Sequence, residues 1–324
     1  MKKIIVLFVF LFNLMLFGIA FGAISYILSP VSPQTAPTQT VVIPKGAGVS
    51  AIGTLLQQKN LIRSAWAFRF VVWKNKTVKN LQAGQFDLSP SQSPEEIAQA
   101  LTKGTDDVWV TIVEGLRNEE IAEVLAQNLG STFDSKEFLQ LANGKQGFLF
   151  PDTYLVPKMV TARTMVNLMQ TTFTKKTTTG IQDELQKKNR SFVEAVILAS
   201  LIQREARTPE TMKMIAGILL RRLEKGWPLQ VDATLQYSKG YDPKEKTWWP
   251  TPYAEDKKLK SLYNTYAHPG LPPAPIANPG LHALEAATNP TSSDYWYYIT
   301  DDAGVMHYAK TVEEHNANVK KYLR

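Results

Sequence analysis

The sequence of 324 residues predicts an α+β protein with an N-terminal membrane helix, a β-α-α-β module, a related second module and a mixed α/β C-terminal domain. Three observations support this fold class. The first 28 residues are almost continuously apolar, a strand-glycine-helix pattern occurs twice, and helices alternate with aromatic, proline-rich loops after residue 145. The predicted boundaries are 1–28 for the anchor, 29–40 for a linker, 41–107 and 108–145 for the modules, and 146–324 for the C-terminal domain.

The apolar N-terminus predicts a single-pass anchor in the cytoplasmic membrane. Residues 4–28 exceed the roughly 20 residues that a helix needs to span a bilayer. Lys2 and Lys3 precede this segment, so the positive-inside rule places the N-terminus in the cytoplasm and the bulk of the chain outside it. A cleaved leader is the alternative, since Ala20 and Gly22 are small enough for a signal peptidase. Residues 29–40, rich in Pro, Ser and Thr, predict a stalk.

The two modules are predicted from hydrophobic periodicity. Strands at 40–43 and 83–88 flank two amphipathic helices, and the sequence SPEE at 93–96 starts a further helix that Gly104 ends. Ile112 and Gly115 stand 69 residues after Ile43 and Gly46, and the following apolar positions coincide as well. This offset predicts that strand, glycine turn and helix recur.

Composition narrows the classes of partner. Lys and Arg number 36 against 29 Asp and Glu, and a net charge of +7 is compatible with nucleic acid, an anionic membrane or an anionic polymer. Predicted export and the lack of a basic helix or glycine-lysine motif disfavour nucleic acid. The chain has no Cys, and its four His form no metal-binding pair, so neither a metal nor a cofactor is expected.

Glu205 is the predicted catalytic residue. On a helix predicted over 191–207 it shares a face with Leu198, Leu201 and Ile202. Loss of hydration on such a face raises the pKa of a carboxyl group, as a general acid near neutral pH requires. The alternative interpretation is a buried ion pair with an arginine. The candidate partners are Arg204, Arg221 and Arg222.

Aromatic loops supply the candidate substrate-binding residues. The motifs FLFPDTY, LQVDATLQY and YNTYAHPGLPPAPIANPG combine rings with amide and hydroxyl groups, a mixture that suits the apolar faces and polar edges of a sugar. Each motif could instead be a loop that Pro fixes over a packed Tyr. The predicted binding residues are Asp152, Tyr154, Gln230, Asp232, Thr234, Tyr237, Tyr263, Asn264 and Tyr266.

Seven motifs in order resemble the endolytic murein transglycosylases, also called the YceG-like family. The resemblance covers residues 41–324 through IPKG, EG, FPDTY, ILASLIQREA, LQVDATLQY, YNTY with GLPPAPIANPG, and HYAKTVEEHN. It implies a LysM-like module near the membrane and a catalytic Glu at position 205, where the A-S-x-x-x-x-E segment ends. The chain departs from the family pattern at Gln203, where members often carry an acid, and at Ala274, where Gly is common.

The resemblance also implies the reaction and partners. The implied reaction is non-hydrolytic cleavage of the β-1,4 bond between N-acetylmuramic acid and N-acetylglucosamine, which leaves a 1,6-anhydro ring and terminates nascent strands. Glycan strands and cell-wall synthases are the implied partners. Two alternatives stay open: a non-catalytic scaffold that binds the wall, and a muramidase that activates water with Asp232 or Asp152 as second carboxylate.

Overall fold

The computed structural model describes residues 2–32, 34–44, 46–103 and 107–323, and it is a mixed α+β structure with an N-terminal apolar helix. Gly104, predicted to end a helix, lies outside the described residues. The chain divides into an N-terminal unit, Met1–Val108 with Leu155–Lys158, and a C-terminal unit, Trp109–Tyr154 with Met159–Arg324.

The helices and strands follow one another along the chain, with short 3-10 and π turns between some of them. The helices are α1 (Lys2–Leu28), α2 (Val49–Gln58), α3 (Ala65–Lys74), α4 (Pro94–Lys103), α5 (Asn118–Leu129), α6 (Ser135–Ala142), α7 (Ala162–Thr177), α8 (Asp183–Lys187), α9 (Phe192–Glu205), α10 (Pro209–Glu224), α11 (Asp232–Lys239), α12 (Leu281–Thr288) and α13 (Val312–Tyr322). The strands are β1 (Gln39–Ile43), β2 (Gly84–Leu88), β3 (Asp107–Thr111), β4 (Thr153–Pro157), β5 (Tyr297–Thr300) and β6 (Met306–Ala309).

The N-terminal unit contains the predicted β-α-α-β order. β1 and β2 pair antiparallel, with Val41 opposite Phe86 and Gln39 opposite Leu88. Because side chains alternate across a strand, Val41, Ile43, Phe86 and Leu88 all point into one core, where α2, α3 and α4 cover them. The register therefore puts these four apolar residues on the inner face, while Val42 lies exposed on the outer one.

α1 has the length and composition of a membrane-spanning helix. Its Leu11–Leu28 window has a mean hydropathy of 2.0 and is not buried within the protein. Its orientation stays a prediction. The predicted stalk is not free of the folded unit, since the Ser32 N–H donates to the Pro90 carbonyl at 2.9 Å and the Ser89 hydroxyl donates to the Ala36 carbonyl at 2.8 Å. Hydrogen bonds therefore hold this segment to the folded unit, although its low apolar content gave no indication of such contacts.

Local structure recurs at the predicted offset. Gly46 and Gly115 have φ angles of 79° and 82°, the left-handed region that favours glycine, and α2 and α5 begin three residues after them. The strands of the two predicted modules, however, do not join into one sheet. β1 pairs with β2 and β3 pairs with β4.

The C-terminal unit is built around α9. Every residue from 195 to 202 is buried, since α10 and α12 pack against this helix. A helix that is apolar on all sides is typical of a protein centre. The aromatic, proline-rich region 227–279 also contains α11, which Gly240 ends with a φ of 73°. The alternating LQVDATLQY sequence concealed this short helix, whose buried residues are Ala233, Thr234 and Leu235.

Asn278 holds three loops of the C-terminal unit together. Its fully buried side chain accepts hydrogen bonds from the N–H groups of Gly147 and Leu149, at 2.9 and 3.1 Å. Its amide donates to the Leu116 carbonyl and to Asn118 Oδ1, at 3.1 and 3.0 Å. All four bonding positions of this side chain are therefore used, and loops that lack regular structure are fixed by them.

We expect Asn278→Ala to lower the free energy of unfolding by about 3 kcal/mol, because buried N–H groups and a carbonyl would lose their partners. Urea denaturation measures this change. Asn128→Ala is the control, since the Asn128 amide donates to the Val124 carbonyl on an exposed surface, and its effect should stay within about 0.5 kcal/mol. Equal losses in the two variants would contradict the role given to Asn278.

Candidate active site

A cleft of about 780 Å³ in the C-terminal unit contains the candidate site. Its walls come from the end of α9, the start of α11, the loop that carries Tyr266, strand β5 and helix α13. Carboxyl groups, phenols and cations line it together. This mixture suits a polar substrate that carries both hydroxyls and charge.

Glu205 lies in this cleft as the last residue of α9. Burial raises the pKa of its carboxyl group to about 7. A hydrogen bond from Tyr298 opposes this rise, the charge of Asp232 adds to it, and the charges of Arg204 and Arg222 oppose it. The end of a helix also disfavours a negative charge. Glu205 is therefore poised to hold or release a proton near neutral pH.

The alternative of a buried ion pair finds no support in the described part of the chain, where no salt bridge joins Glu205 to an arginine. Arg222 instead donates to the main-chain carbonyls of Trp296 and Leu229. Arg221 pairs with Asp294 at 3.2 Å.

Arg204 lies with its guanidinium 3.9 Å from the centre of the Trp249 ring. Burial lowers the pKa of this guanidinium. Each arginine near Glu205 therefore has other contacts, and the carboxyl group is left facing the cleft.

Two phenols act as hydrogen-bond donors to the two carboxyl groups of the cleft. Tyr298 is bonded to Glu205, and the Tyr266 hydroxyl donates to Asp232 Oδ1 at 2.6 Å. Burial raises the pKa of both phenols, and the nearby carboxylates raise it further. Both hydroxyls therefore keep their protons at neutral pH and remain donors.

Gln230 reaches the cleft from a strained backbone. Its φ angle is 54°, a left-handed conformation that costs a residue with a side chain roughly 1 kcal/mol or more. Its N–H donates to the Thr265 carbonyl at 3.1 Å, and the next N–H, of Val231, donates to Thr265 Oγ1 at 3.0 Å. These bonds hold the turn that places the Gln230 side chain in the cleft wall.

Cations and further rings complete the wall. The Tyr297 ring stacks on His315 at 5.1 Å, and the Lys257 amine lies 4.8 Å from the centre of the Tyr266 ring. Burial, followed by the charge of Arg222, lowers the pKa of His315. The uncharged imidazole is thereby favoured at neutral pH.

Four of the predicted site residues lie together in the cleft: Glu205, Gln230, Asp232 and Tyr266. Thr234 and Asn264 are fully buried beneath it. The Thr234 hydroxyl bonds to Thr265 Oγ1 at 2.9 Å, and the Asn264 amide donates to two main-chain carbonyls of its own loop. Their contacts fix the loops that carry the cleft residues.

The remaining predicted residues lie elsewhere in the described C-terminal unit and line no part of this cleft. The Tyr237 and Tyr263 rings pack against each other in a tilted arrangement, with their centres 4.7 Å apart. The Tyr154 hydroxyl donates to the Phe150 carbonyl at 2.6 Å, and Asp152 pairs with Lys176 at 3.8 Å.

Five charged or aromatic residues of the cleft wall were not among the sequence-based candidates for substrate binding. They are Arg222, Lys257, Tyr297, Tyr298 and His315. The dense aromatic run YWYYIT was a signal for the two tyrosines, because a short strand cannot bury so many rings on its own. Lys257 and His315 had no local signal, and Arg222 was considered only as an ion-pair partner of Glu205.

Gln203 explains one departure from the family pattern. Its Oε1 accepts the N–H of Gly280 at 2.9 Å, and so ties α9 to the start of α12. An amide oxygen accepts this bond as a carboxylate oxygen would. Gln203 therefore supports the start of α12 through a hydrogen bond that does not require a negative charge.

The YceG-like family model matches residues 41–321. The chain belongs to the YceG-like family. It is 30% identical over 332 residues to the endolytic murein transglycosylase of Bacillus subtilis strain 168, covering 93% of this chain and 90% of that protein. The endolytic murein transglycosylase of Streptococcus pneumoniae D39 is 28% identical over 91% of this chain, which spans 60% of that longer relative. A crystal structure of a YceG-like protein from Listeria monocytogenes is 30% identical, with a TM-score of 0.55 over 87% of this chain and 99% of that one.

We expect Glu205 to reduce the stability of this YceG-like protein as pH rises from about 4.5 to about 7, because the folded state holds the Glu205 proton that the unfolded state has released. The loss is at most about 3 kcal/mol. Glu205→Gln cannot titrate, so urea denaturation at about pH 5 and about pH 8 should show the variant gaining stability relative to wild type at the higher pH.

The control for this titration is Glu194→Gln, which changes an exposed capping residue on the same helix. It should keep the pH dependence of wild type. A constant difference between Glu205→Gln and wild type at both pH values would refute the raised pKa.

A second prediction concerns the strained turn. Gln230→Gly should be more stable than Gln230→Ala by about 1 kcal/mol, because glycine adopts a positive φ without a steric cost. Thermal or urea unfolding compares the two. The same pair of substitutions at Gln236, inside α11, should give the opposite order, since alanine is the better helix former. If the alanine variant is the more stable one at both positions, the backbone at Gln230 is not strained.

Proposed function

We propose that this protein is a membrane-anchored peptidoglycan lytic transglycosylase in which Glu205 acts first as acid and then as base. The observation that carries the proposal is the Glu205 carboxyl group in the cleft, with a pKa of about 7 and a hydrogen bond from Tyr298. Membership in the YceG-like family and relatives named endolytic murein transglycosylases support the substrate class.

In the first step Glu205 acts as a general acid. It gives its proton to the oxygen that links N-acetylmuramic acid to N-acetylglucosamine, and the bond from that oxygen to the muramic acid C1 breaks. Positive charge then spreads over C1 and the ring oxygen. The carboxylate of Asp232, oriented by Tyr266 at 2.6 Å, is positioned in the same cleft to stabilise this charge.

In the second step the Glu205 carboxylate acts as a general base. It removes the proton of the muramic acid C6 hydroxyl as the C6 oxygen bonds to C1, and the 1,6-anhydro ring closes. Glu205 regains the proton that it lost, so no water is consumed. The Tyr298 hydroxyl donates to the carboxylate between the two steps and stabilises the charged form.

The rival hydrolytic reaction needs a second carboxylate to attack C1 or to activate water. Asp152 is paired with Lys176 and does not line the cleft among the described residues, which leaves Asp232 for such a role. Tyr266 donates to Asp232 directly, and this bond occupies the Oδ1 atom that would otherwise be free to bind a water molecule. We therefore favour the anhydro product.

The cations of the cleft fit an anionic glycan. Lys257 and Arg222 line the wall beside the rings of Tyr266 and Tyr297. N-acetylmuramic acid carries a lactyl carboxylate or, where a peptide is attached through that group, the carboxylates of the peptide. We further propose that α1 crosses the cytoplasmic membrane with the folded units outside, that the N-terminal module is LysM-like, and that the enzyme cuts within nascent strands beside cell-wall synthases. The rival proposal of a non-catalytic scaffold does not explain why a carboxyl group with a pKa of about 7 lies in the cleft without a salt bridge among the described residues.

We expect Glu205→Gln to fold as wild type does and to release no anhydro-ended fragments from purified sacculi, because an amide can neither give nor accept the proton. Mass spectrometry of the fragments gives the chemistry, since an anhydro end is lighter than a reducing end by one water. Glu194→Gln, the same substitution at the exposed start of α9, should retain activity.

The outcomes separate the candidate functions. Reducing ends from wild type would establish hydrolysis, and no fragments from wild type or the control would favour the scaffold. Anhydro ends released by Glu205→Gln would remove the assignment of Glu205.

A further inference from the structure

Helix α3 of the N-terminal unit carries an exposed row of aromatic side chains. Trp66 and Trp73 are 54% and 71% exposed, and Phe70 lies between them. The Trp66 and Phe70 rings stack at 5.7 Å, and the Phe70 and Trp73 rings lie 6.2 Å apart. The opposite face, which includes Phe68 and Val72, is buried in the core. α3 therefore carries apolar side chains on two opposite faces, and only one of these faces is covered by protein.

The aromatic row lies beside the end of α1. Phe70 and Leu28, the last residue of α1, line the same small cavity, and Leu28 packs against the core of the unit. Arg63 fixes this arrangement, because its guanidinium donates to the Tyr26 hydroxyl at 2.9 Å and to the Pro30 carbonyl. The folded unit is thus held directly at the point where the apolar helix ends.

The charge of the surrounding sequence is strongly biased. Residues 41–86 contain seven Lys and Arg and no Asp or Glu. Arg69 and Lys74 stand on α3 itself, next to the exposed rings. Tryptophan with flanking basic residues is typical of the interface between water and lipid, where the rings sit at headgroup level and the cations meet anionic phosphate.

We propose that the exposed face of α3 lies in the headgroup layer of the membrane that α1 crosses. This inference rests on the proposed anchoring by α1 and adds a second, peripheral contact to it. Trp66, Phe70 and Trp73 enter the interface, and Arg69 and Lys74 bind phospholipid phosphate. The contact fixes the orientation of the N-terminal unit on the bilayer, which a single helix alone would leave free to rotate.

The absence of native cysteine allows a direct test with single labels. The full chain is reconstituted in nanodiscs of phosphatidylglycerol and phosphatidylcholine, with an environment-sensitive fluorophore on Trp66→Cys or Trp73→Cys. We expect a blue shift of emission, and stronger quenching by lipids brominated near the headgroup than by lipids brominated near the chain end. The shift should be smaller in discs of phosphatidylcholine alone, and smaller in the Arg69→Gln, Lys74→Gln background.

Two control labels make the outcomes distinct. Phe17→Cys, within α1, should be quenched most by lipids brominated near the chain end. Leu262→Cys, in the C-terminal unit, matches Trp73 with an exposed fraction of 71% and should stay in water.

Quenching at Phe17 without quenching at Trp66 and Trp73 overturns this inference and leaves the anchoring intact. No quenching at Phe17 overturns the anchoring and the inference with it. Equal quenching at Leu262 and Trp73 marks unspecific contact and also overturns it. A label at Trp66 or Trp73 that responds to added soluble glycan and not to lipid assigns the face to sugar binding instead.

Discussion

The candidate site depends on the burial of helix α9, which ends at Glu205 in the cleft. α9 is surrounded by protein from residue 195 to residue 202, so its axis and rotation are fixed, and Glu205 at its end is fixed with them. The helix stops because Ala206 is extended, with a φ of −138°. A carboxyl group at this position meets low hydration and the negative end of the helix dipole, both of which favour its protonated form. Acidic residues usually lie in water and away from the C-terminal ends of helices, and Glu205 is an exception on both counts. Such exceptions are concentrated at functional sites.

Hydrogen bonds fix the positions of the loops, as apolar burial fixes the position of α9. Asn278 binds the backbone of two other loops, and Gln203 binds the start of α12. Thr265 holds the strained turn at Gln230 through its carbonyl and its hydroxyl. Because these bonds are buried and satisfied, the long irregular segments of the C-terminal unit can place side chains as accurately as regular elements do.

Local patterns predicted the parts of this protein that depend on local physics. The apolar run predicted α1, periodicity predicted the β-α-α-β order, and the apolar face of α9 predicted that Glu205 loses hydration. The sequence could not show which polar loop residues face the cleft. Asn264 and Tyr266 stand two residues apart in one motif, yet the first is buried as a loop support and the second binds Asp232. Tyr298 lies far along the chain from Glu205, and only the packing of the hairpin brings them together.

A single residue can act as acid and then as base only if neither of its protonation states is strongly favoured, and a pKa of about 7 meets this condition at neutral pH. Burial alone would hold the proton too firmly, and the Tyr298 bond moderates it. Asp232 then has two effects in the proposed mechanism. Its charge raises the pKa of Glu205 before the reaction and lies close to the cation that forms during it. The phenols that contact both carboxyl groups keep their protons throughout, so the only group that must change its charge is the one that exchanges a proton with the substrate.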